Sequence, residues 1–294
     1  MNVALIGYGR WGKIYEKTLK RLSDYKLKAV VSRTPDNISD QLSGVRLCSS
    51  VDELESIGID AIIIATPPHT HANYIRAAIR LKKPCIVEKP ACLSSQECTT
   101  LHDEVEKSGI PLLVGYLQLF NARYRQLKKI VQNSGEKIHL LISEGVGLGP
   151  FRAETPTLWD WLPHDVSLCL DLIVTNDPPQ PQCMALPSIP QRGNETDMVY
   201  VRADYPGGPT AIINSGCMYP KARRNLSVFT DNSIFHLTDR PTNEMVTLDF
   251  PYNNRAEFGS TWYPAYHNVD LESVELPLDS MLNYFHQALN GGDQ

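Results

Sequence analysis

The 294-residue sequence has no long hydrophobic run, no excess of basic residues and no paired cysteine motif. No stretch approaches the roughly 20 consecutive apolar residues that a transmembrane helix needs, so we expect no membrane span. The chain carries 28 basic and 33 acidic residues, a net charge of −5, which excludes the basic surface typical of nucleic-acid-binding proteins. Polar residues follow the first apolar run too soon for a signal peptide, so we expect none.

The seven cysteines are scattered along the chain, and no C-x-x-C pair or Cys/His group with zinc-site spacing occurs. An odd number of scattered thiols is typical of a reduced protein, in which cysteines serve as small core residues. We therefore expect a cytoplasmic protein without a metal site. The length and an ordinary hydrophobic content of 42% fit one large globular domain or two smaller ones.

The first 118 residues alternate short apolar runs with segments of helical spacing. The apolar runs are at 3–6, 28–31, 61–65, 85–87 and 110–114. Continuous apolar strands that alternate with helices predict a parallel sheet covered by helices on both faces. We therefore assign residues 1–118 to a doubly wound α/β domain.

Residues 119–294 have a different character, because strands follow one another with few helices between them. Helices are predicted at 123–133 and 159–174, and strands at 138–146, 199–205, 210–218, 226–230, 233–237 and 245–250. Runs of strands joined by hairpin turns predict a second, α+β domain with a mostly antiparallel sheet. The proline-rich segment 177–190 is predicted to be a surface loop.

A glycine-rich loop directly follows the first predicted strand and opens a helix. Its sequence is Gly7-Tyr8-Gly9-Arg10-Trp11-Gly12. In a dinucleotide-binding fold the first glycine permits a tight turn, the second admits a pyrophosphate, and the third lets helix and strand pack closely. The helix N-terminus adds N–H groups and partial positive charge. We assign these six residues to a cofactor site, although a plain strand-to-helix turn also uses glycines.

The end of the second predicted strand should select between NAD and NADP. An acidic residue there binds the ribose 2′-hydroxyl of NAD, but this chain has Ser32 and Arg33. A hydroxyl and a forked guanidinium suit a 2′-phosphate, so NADP is favoured and NAD stays possible. The alternative is that Arg33 lies above the adenine and permits either cofactor.

Two further loops follow predicted parallel strands, at the edge where open α/β sheets bind ligands. The first loop contains Thr66, Pro67 and His71, and the second begins with Glu88 and Lys89. All five residues are assigned to the cofactor site. A lysine at the end of a buried strand is unusual and indicates a functional group, unless it only pairs with its neighbouring glutamate. A cis peptide bond after this lysine is possible, since proline is the next residue.

These motifs and their order along the chain resemble those of one family, the glucose–fructose oxidoreductase, inositol dehydrogenase and rhizopine-catabolism (Gfo/Idh/MocA) family of NAD(P)-dependent oxidoreductases. The matching segments are 7–12, 66–71, 88–90 and 115–121, and the similarity extends over nearly the whole chain. The resemblance implies a Rossmann domain followed by an antiparallel-sheet domain whose open face makes oligomer contacts. It also implies hydride transfer to or from a carbon of a sugar, sugar derivative or cyclitol.

The family's remaining signature is an Asp and a His four residues apart, which Asp160 and His164 match. Residues at positions i and i+4 share one face of a helix, so both side chains can reach one cleft. Lys89, Asp160 and His164 are therefore the candidate catalytic residues. The alternative is structural: Asp160 caps the helix, Pro163 lies in its first turn and His164 packs against Trp161.

In the expected mechanism His164 takes the alcohol proton, because the ordinary histidine pKa lies near neutrality. Lys89 donates a hydrogen bond to the reacting oxygen and stabilises the negative charge that develops there, while Asp160 orients Lys89 and His164. The residues expected to bind the sugar-like substrate are Tyr116, Asn121, Arg152, Trp161 and His164. Two other hypotheses for the function stay open. The protein could be a cofactor-sensing regulator without catalysis, or a biliverdin reductase-like enzyme of the same architecture.

A homodimer or homotetramer is expected, because the outer face of the antiparallel sheet looks too apolar to stay exposed. That face is expected to carry Tyr200, Val201, Ile212 or Ile213, and Met218. Two features depart from the family. The Gly-Gly that usually precedes the catalytic Asp is replaced by residues 155–159, and the chain stops where relatives often continue into a final helix. The sequence is therefore either a short family member or truncated.

Overall fold

A computed structural model describes residues 1–149, 155–173, 175, 177–186, 196–240, 244–249, 265–270 and 275–291. The chain divides into two compact units. The first contains Met1–Tyr116 together with the residues from Leu278 onward, and the second is Leu117–Pro277. None of the helices in the described ranges is long and apolar enough to cross a membrane.

The first unit contains a six-stranded sheet of order β3-β2-β1-β4-β5-β6 in which every pairing is parallel. The strands are β1 (Asn2–Ile6), β2 (Lys26–Val31), β3 (Arg46–Cys48), β4 (Ala61–Ile64), β5 (Cys85–Val87) and β6 (Leu112–Val114). The helices are α1 (Arg10–Arg21), α2 (His71–Arg80) and α3 (Ser95–Ser108). The predicted doubly wound parallel sheet is confirmed. Its strand order reverses between β1 and β4, the point at which such sheets bind ligands.

The last helix, α7 (Pro277–Leu289), belongs with the first unit from Leu278 onward. Arg21 forms an ion pair with Asp279, and the Tyr25 hydroxyl donates to the Leu282 carbonyl oxygen at 2.5 Å. The sequence pattern predicts one domain over 119–294 and no final helix of this kind. The structure groups the chain differently because these contacts join residues more than 250 positions apart.

The second unit contains an eight-stranded sheet of order β14-β13-β12-β11-β7-β10-β9-β8. Its strands are β7 (Leu140–Leu148), β8 (Gln180–Leu186), β9 (Met198–Asp204), β10 (Thr210–Gly216), β11 (Met218–Phe229), β12 (Ser233–Arg240), β13 (Glu244–Asp249) and β14 (Ala265–Asn268). Its helices are α4 (Ala122–Ser134), α5 (Thr157–Asp160) and α6 (Leu162–Leu172). The mostly antiparallel sheet is confirmed, with β7 and β10 as its one parallel pairing among the described strands.

Two elements of the second unit differ from the predictions. The predicted loop at 177–190 contains strand β8, which lies at the sheet edge and is exposed along its whole length. An edge strand tolerates Pro181 and buries no apolar face, so neither composition nor periodicity revealed it. The helix predicted at 159–174 is divided into α5 and α6 at Trp161.

The two faces of the second sheet separate the residues that we had placed together on its outer surface. Val201 and Ile213 are buried in the core that also contains Leu168 of α6. Tyr200 and Ile212, at the alternate positions of β9 and β10, are 36% and 40% exposed. The assignment of Val201 to the outer face was wrong, and of the two alternatives in β10 it is Ile212 that lies there, because successive side chains of a strand point to opposite faces.

Candidate active site

The glycine-rich loop joins β1 to α1, and its three glycines have different steric surroundings. Gly7 adopts φ +93°, and a Cβ atom there would lie 2.7 Å from the Ala65 carbonyl oxygen. A Cβ at Gly12 would lie 2.2 Å from the carbonyl oxygen of Gly7. Around Gly9, by contrast, no heavy atom lies within 4 Å of the position that a Cβ would take. Gly7 and Gly12 therefore permit the turn itself, whereas Gly9 leaves open space beside it.

This open space lies at the N-terminus of α1. Gly9 is the N-cap, no side chain caps the helix, and its first turn contains no acidic residue. A helix that begins this way offers its first N–H groups and its positive dipole end to an anion. Arg10 is exposed, and Tyr8 and Trp11 are half-buried. The loop thus fits the diphosphate of a dinucleotide cofactor.

At the end of β2, Ser32 is half-buried and Arg33 is exposed. The Ser32 hydroxyl accepts a hydrogen bond of 3.2 Å from the Thr34 backbone N–H, which shapes the turn that presents Arg33. Asp36 is exposed in the short 3₁₀ helix Pro35–Gln41 that follows. The turn that is expected to select between NAD and NADP is therefore polar, and it exposes the Arg33 guanidinium.

The loop after β4 contacts the glycine loop and also the loop after β5. A Cβ at Gly7 would lie 2.8 Å from the Thr66 methyl group, so these two loops are in close contact. His71 is completely buried, and its two ring nitrogens lie 2.8 Å from the carbonyl oxygens of Thr66 and Pro90. The sequence assigns His71 to the cofactor site. In the structure its buried side chain lies between the two loops, with each ring nitrogen facing a backbone carbonyl oxygen.

Lys89 follows β5 and is half-buried, and the Lys89–Pro90 peptide bond is cis. Glu88 is buried and accepts a hydrogen bond of 2.8 Å from the Tyr15 hydroxyl of α1, which is also buried. Burial raises the pKa of Glu88 to about 7, opposed by the Tyr15 hydrogen bond and by the Lys89 charge. Tyr15 is not among the residues predicted from the sequence. A tyrosine on the core face of a helix could have indicated it, since a buried hydroxyl needs a partner.

We expect Glu88→Gln to flatten the pH dependence of stability. The Glu88 pKa is about 7 in the folded chain and 4.5 ordinarily, so the folded state binds more protons between these values. This stabilisation is complete below the ordinary pKa and is lost as pH rises through the folded one. From about pH 5 to pH 8, the melting temperature of wild type should therefore fall relative to that of Glu88→Gln. Parallel melting curves across this range would contradict the prediction.

In the second unit, Asp160 ends α5 and His164 lies in the first turn of α6. Trp161 separates the two helices with φ −105° and ψ −53°, and its carbonyl accepts a 3.3 Å hydrogen bond from the His164 N–H. The two candidates are therefore on successive short helices rather than on one. Both side chains are half-buried.

A buried carboxylate that sequence analysis missed lies next to His164. Asp165 has no exposed surface, and it accepts hydrogen bonds from the hydroxyls of Ser143 (2.8 Å) and Ser215 (2.9 Å). The Arg224 guanidinium lies 3.9 Å away, and a Cβ at Gly145 would lie only 2.2 Å from the Asp165 carboxylate. Burial raises the pKa of Asp165, and the Arg224 charge opposes this shift. The cluster attaches the start of α6 to β7 and β10.

The candidate substrate residues have different surroundings. Tyr116 is half-buried at the end of the first unit. Asn121 caps α4 by accepting from the Arg123 N–H at 2.9 Å, and its amide donates to Asp239 at 3.3 Å. Its side chain therefore stabilises the fold, and its assignment to the substrate stays a prediction. Trp161 packs over Gly147, where a Cβ would lie 3.2 Å from the indole ring. Arg152 lies outside the described residues.

Comparison with known families identifies the first unit. The family profile described as "Oxidoreductase family, NAD-binding Rossmann fold" (GFO_IDH_MocA) matches residues 1–116. The first unit is thus similar to the NAD-binding Rossmann domain of the Gfo/Idh/MocA oxidoreductases.

Several known proteins are similar to this chain over different lengths. The uncharacterized oxidoreductase YrbE of Bacillus subtilis is 26% identical over 271 residues, 86% of this chain and 79% of YrbE. The scyllo-inositol 2-dehydrogenase (NAD⁺) of the same organism is 32% identical over 142 residues, 46% of this chain. That alignment spans only 41% of the enzyme's length.

Solved structures extend the similarity of the fold to the whole chain. A proposed oxidoreductase from Magnetospirillum magnetotacticum MS-1 superimposes with a TM-score of 0.84 at 29% identity, covering 100% of this chain and 93% of the other. The UDP-N-acetylglucosamine 3-dehydrogenase GnnA of Acidithiobacillus ferrooxidans gives a TM-score of 0.82 at 19% identity. It covers 99% of this chain and 89% of GnnA, and at this identity it shows the fold alone.

Proposed function

We propose that the protein is a dehydrogenase or reductase acting on the CH–OH group of a sugar, sugar derivative or cyclitol, with NADP(H) preferred over NAD(H). The observation that carries the proposal is Lys89, at the carboxyl edge of the sheet whose β1 carries the glycine loop. Relatives named inositol 2-dehydrogenase support the cyclitol or sugar class. The fit of the open space at Gly9 to a diphosphate supports the cofactor class.

Three side chains would perform the proton chemistry, assigned from the motifs that they match. When bound, the nicotinamide supplies or accepts the hydride. Lys89 donates a hydrogen bond to the reacting oxygen and stabilises negative charge there. His164 takes the proton from the hydroxyl in oxidation and returns it in reduction, while Asp160 orients the groups. Tyr116 and Trp161 remain the proposed substrate contacts.

A substrate screen tests the proposal. The purified chain is incubated with NADP⁺ or NAD⁺ and a panel of sugars, inositols and nucleotide sugars, and absorbance of the reduced cofactor is followed. Turnover of at least one polyol is expected. Cofactor binding without turnover of any compound would favour the regulator instead. Reduction of biliverdin by NADPH, with no polyol oxidised, would favour the biliverdin reductase-like alternative.

Arg33→Ala should weaken NADPH binding by about 1.5–3 kcal/mol, the range for a hydrogen bond to a charged group. At about 1.4 kcal/mol per tenfold change, this is roughly a 10- to 150-fold rise in Kd. NADH has no 2′-phosphate, so its Kd should hardly change. Fluorescence titration of both cofactors measures the two effects. Equal losses for NADPH and NADH would show that Arg33 contacts the adenine and does not select the phosphate.

We also propose a homodimer or homotetramer in which a second copy covers the outer face of the second sheet. Ile142 of β7 and Ile212 of β10 are register partners on this face, and both are more than a third exposed, as is the nearby Tyr200. Ile212→Glu should shift the mass measured by light scattering towards the monomer. Leu170→Glu, at a half-exposed position of α6, is the control and should not. A wild type that is monomeric at micromolar concentration would contradict the proposal.

A further inference from the structure

His71 is the first residue of α2, and it occupies an unusual position for a titratable group. The side chain has no exposed surface, yet both ring nitrogens face main-chain carbonyl oxygens at 2.8 Å. One carbonyl belongs to Thr66, two residues beyond the end of β4. The other belongs to Pro90, three residues beyond the end of β5. The imidazole thus lies between two adjacent loops at the ligand-binding edge of the sheet.

The number of N–H groups on the ring decides how many of these contacts are hydrogen bonds. A carbonyl oxygen only accepts, and a neutral imidazole has one N–H, so it can donate to Thr66 or to Pro90 but not to both. The imidazolium has two N–H groups and can donate to both at once. With two acceptors at equal distance, the neutral ring therefore leaves one carbonyl oxygen without a hydrogen bond, and only the imidazolium can satisfy both.

Opposing influences set the charge of His71. Burial lowers its pKa from the ordinary value, the two carbonyl contacts oppose this, and His69 on the preceding turn adds a small lowering effect. Glu88 and Lys89 are the ionisable residues immediately before Pro90 on the neighbouring loop. Without a ligand, burial is the dominant influence, which favours the neutral ring. An anion bound at the same edge would favour the imidazolium.

The dinucleotide proposed above is such an anion, and the loops that His71 connects are the ones placed to receive it. Thr66 is in close contact with Gly7 of the glycine loop, and Pro90 directly follows Lys89. We propose that His71 becomes protonated when the cofactor binds. The imidazolium then donates a hydrogen bond to each of the two loops, whereas the neutral ring of the cofactor-free protein donates to only one of them. His71 is a positioning residue for Lys89 in this scheme, which rests on the proposed function.

Proton-linked calorimetry tests this inference. NADPH is titrated into the protein near neutral pH in buffers of different ionisation enthalpy, and the dependence of the binding heat on the buffer gives the protons taken up. The 2′-phosphate of NADPH also titrates near neutrality, so the readout is the difference between variants. We expect wild type and His69→Gln to take up a measurable fraction of a proton more than His71→Gln. His69 is exposed in the same loop and is the matched control.

A second measurement uses the wild type alone, in case His71→Gln does not fold. Nitrogen-15 NMR of the histidine rings should show His71 with one protonated nitrogen without cofactor and with two when NADPH is bound. A ring that stays neutral in the loaded protein, or equal proton uptake by all three proteins, would overturn the inference and leave the proposed function intact. No binding of NADPH or NADH by the wild type would overturn both.

Discussion

Lys89→Ala should lower kcat by about 10²–10⁴, the usual contribution of a positioned proton donor or acceptor. The ammonium is proposed to act on the substrate oxygen, whereas the diphosphate is held by the glycine loop. The Kd for NADPH should therefore stay within a few-fold of the wild-type value. Lys107→Ala, which removes an exposed lysine from α3, is the control and should leave kcat unchanged.

His164→Ala should reduce kcat to a similar extent, with the melting temperature nearly unchanged. The double variant should be little slower than either single one, because residues that act as a unit are not additive. If His164 only packs in the first turn of α6, the pattern is different. His164→Ala would then lower the melting temperature and leave kcat per folded molecule intact. Measuring kcat, cofactor Kd and melting temperature on all three variants separates these outcomes.

Asp165→Ala should destabilise the protein by about 3–5 kcal/mol, because it removes one partner from a buried charged cluster. The hydroxyls of Ser143 and Ser215 would lose their acceptor, and the Arg224 guanidinium would lose a carboxylate that lies 3.9 Å away. The first turn of α6 would lose its attachment to β7 and β10. Urea unfolding measures the loss as a lower midpoint at unchanged slope.

Two matched variants separate the charge from the shape of Asp165. Asp165→Asn keeps the volume and one acceptor oxygen, so it should cost less than Asp165→Ala. Ser215→Ala removes a single donor and should cost about 1 kcal/mol. An Asp165→Ala protein as stable as wild type would show that the apolar contacts of α6, such as those of Leu168, hold the helix by themselves.

The cofactor half of the site could be predicted from sequence, because its motif is local. Gly7, Gly9 and Gly12 lie within six residues, and their spacing reports the strand-turn-helix geometry that the structure contains. The Asp160 and His164 pair was harder, since the pattern of four residues assumed one continuous helix. The structure begins a new helix at Leu162, so the spacing selected the candidates but did not give their arrangement.

The local sequence pattern was also insufficient to predict elements that bury little apolar surface. Strand β8 is exposed throughout and carries Pro181, so nothing in its sequence distinguishes it from a loop. Its pairing with β9 makes it a strand. Asn121 was ambiguous for a similar reason. An asparagine before a helix suits a cap as well as a ligand contact, and only the structure shows the hydrogen bonds with Arg123 and Asp239 that make it a cap.

The sequence by itself determined the alternation of strands and helices in the first unit, the two kinds of sheet and the position of the glycine loop. Each of these depends on spacings of a few residues, which hydrophobicity and backbone preference encode directly. Only the tertiary structure decided which buried polar groups meet. Tyr15 donates a hydrogen bond to Glu88, 73 positions away in the sequence, and Ser215 donates one to Asp165, 50 positions away. Such pairs form because strand order and register bring distant residues together, and a buried polar group is stable only where that partner is present.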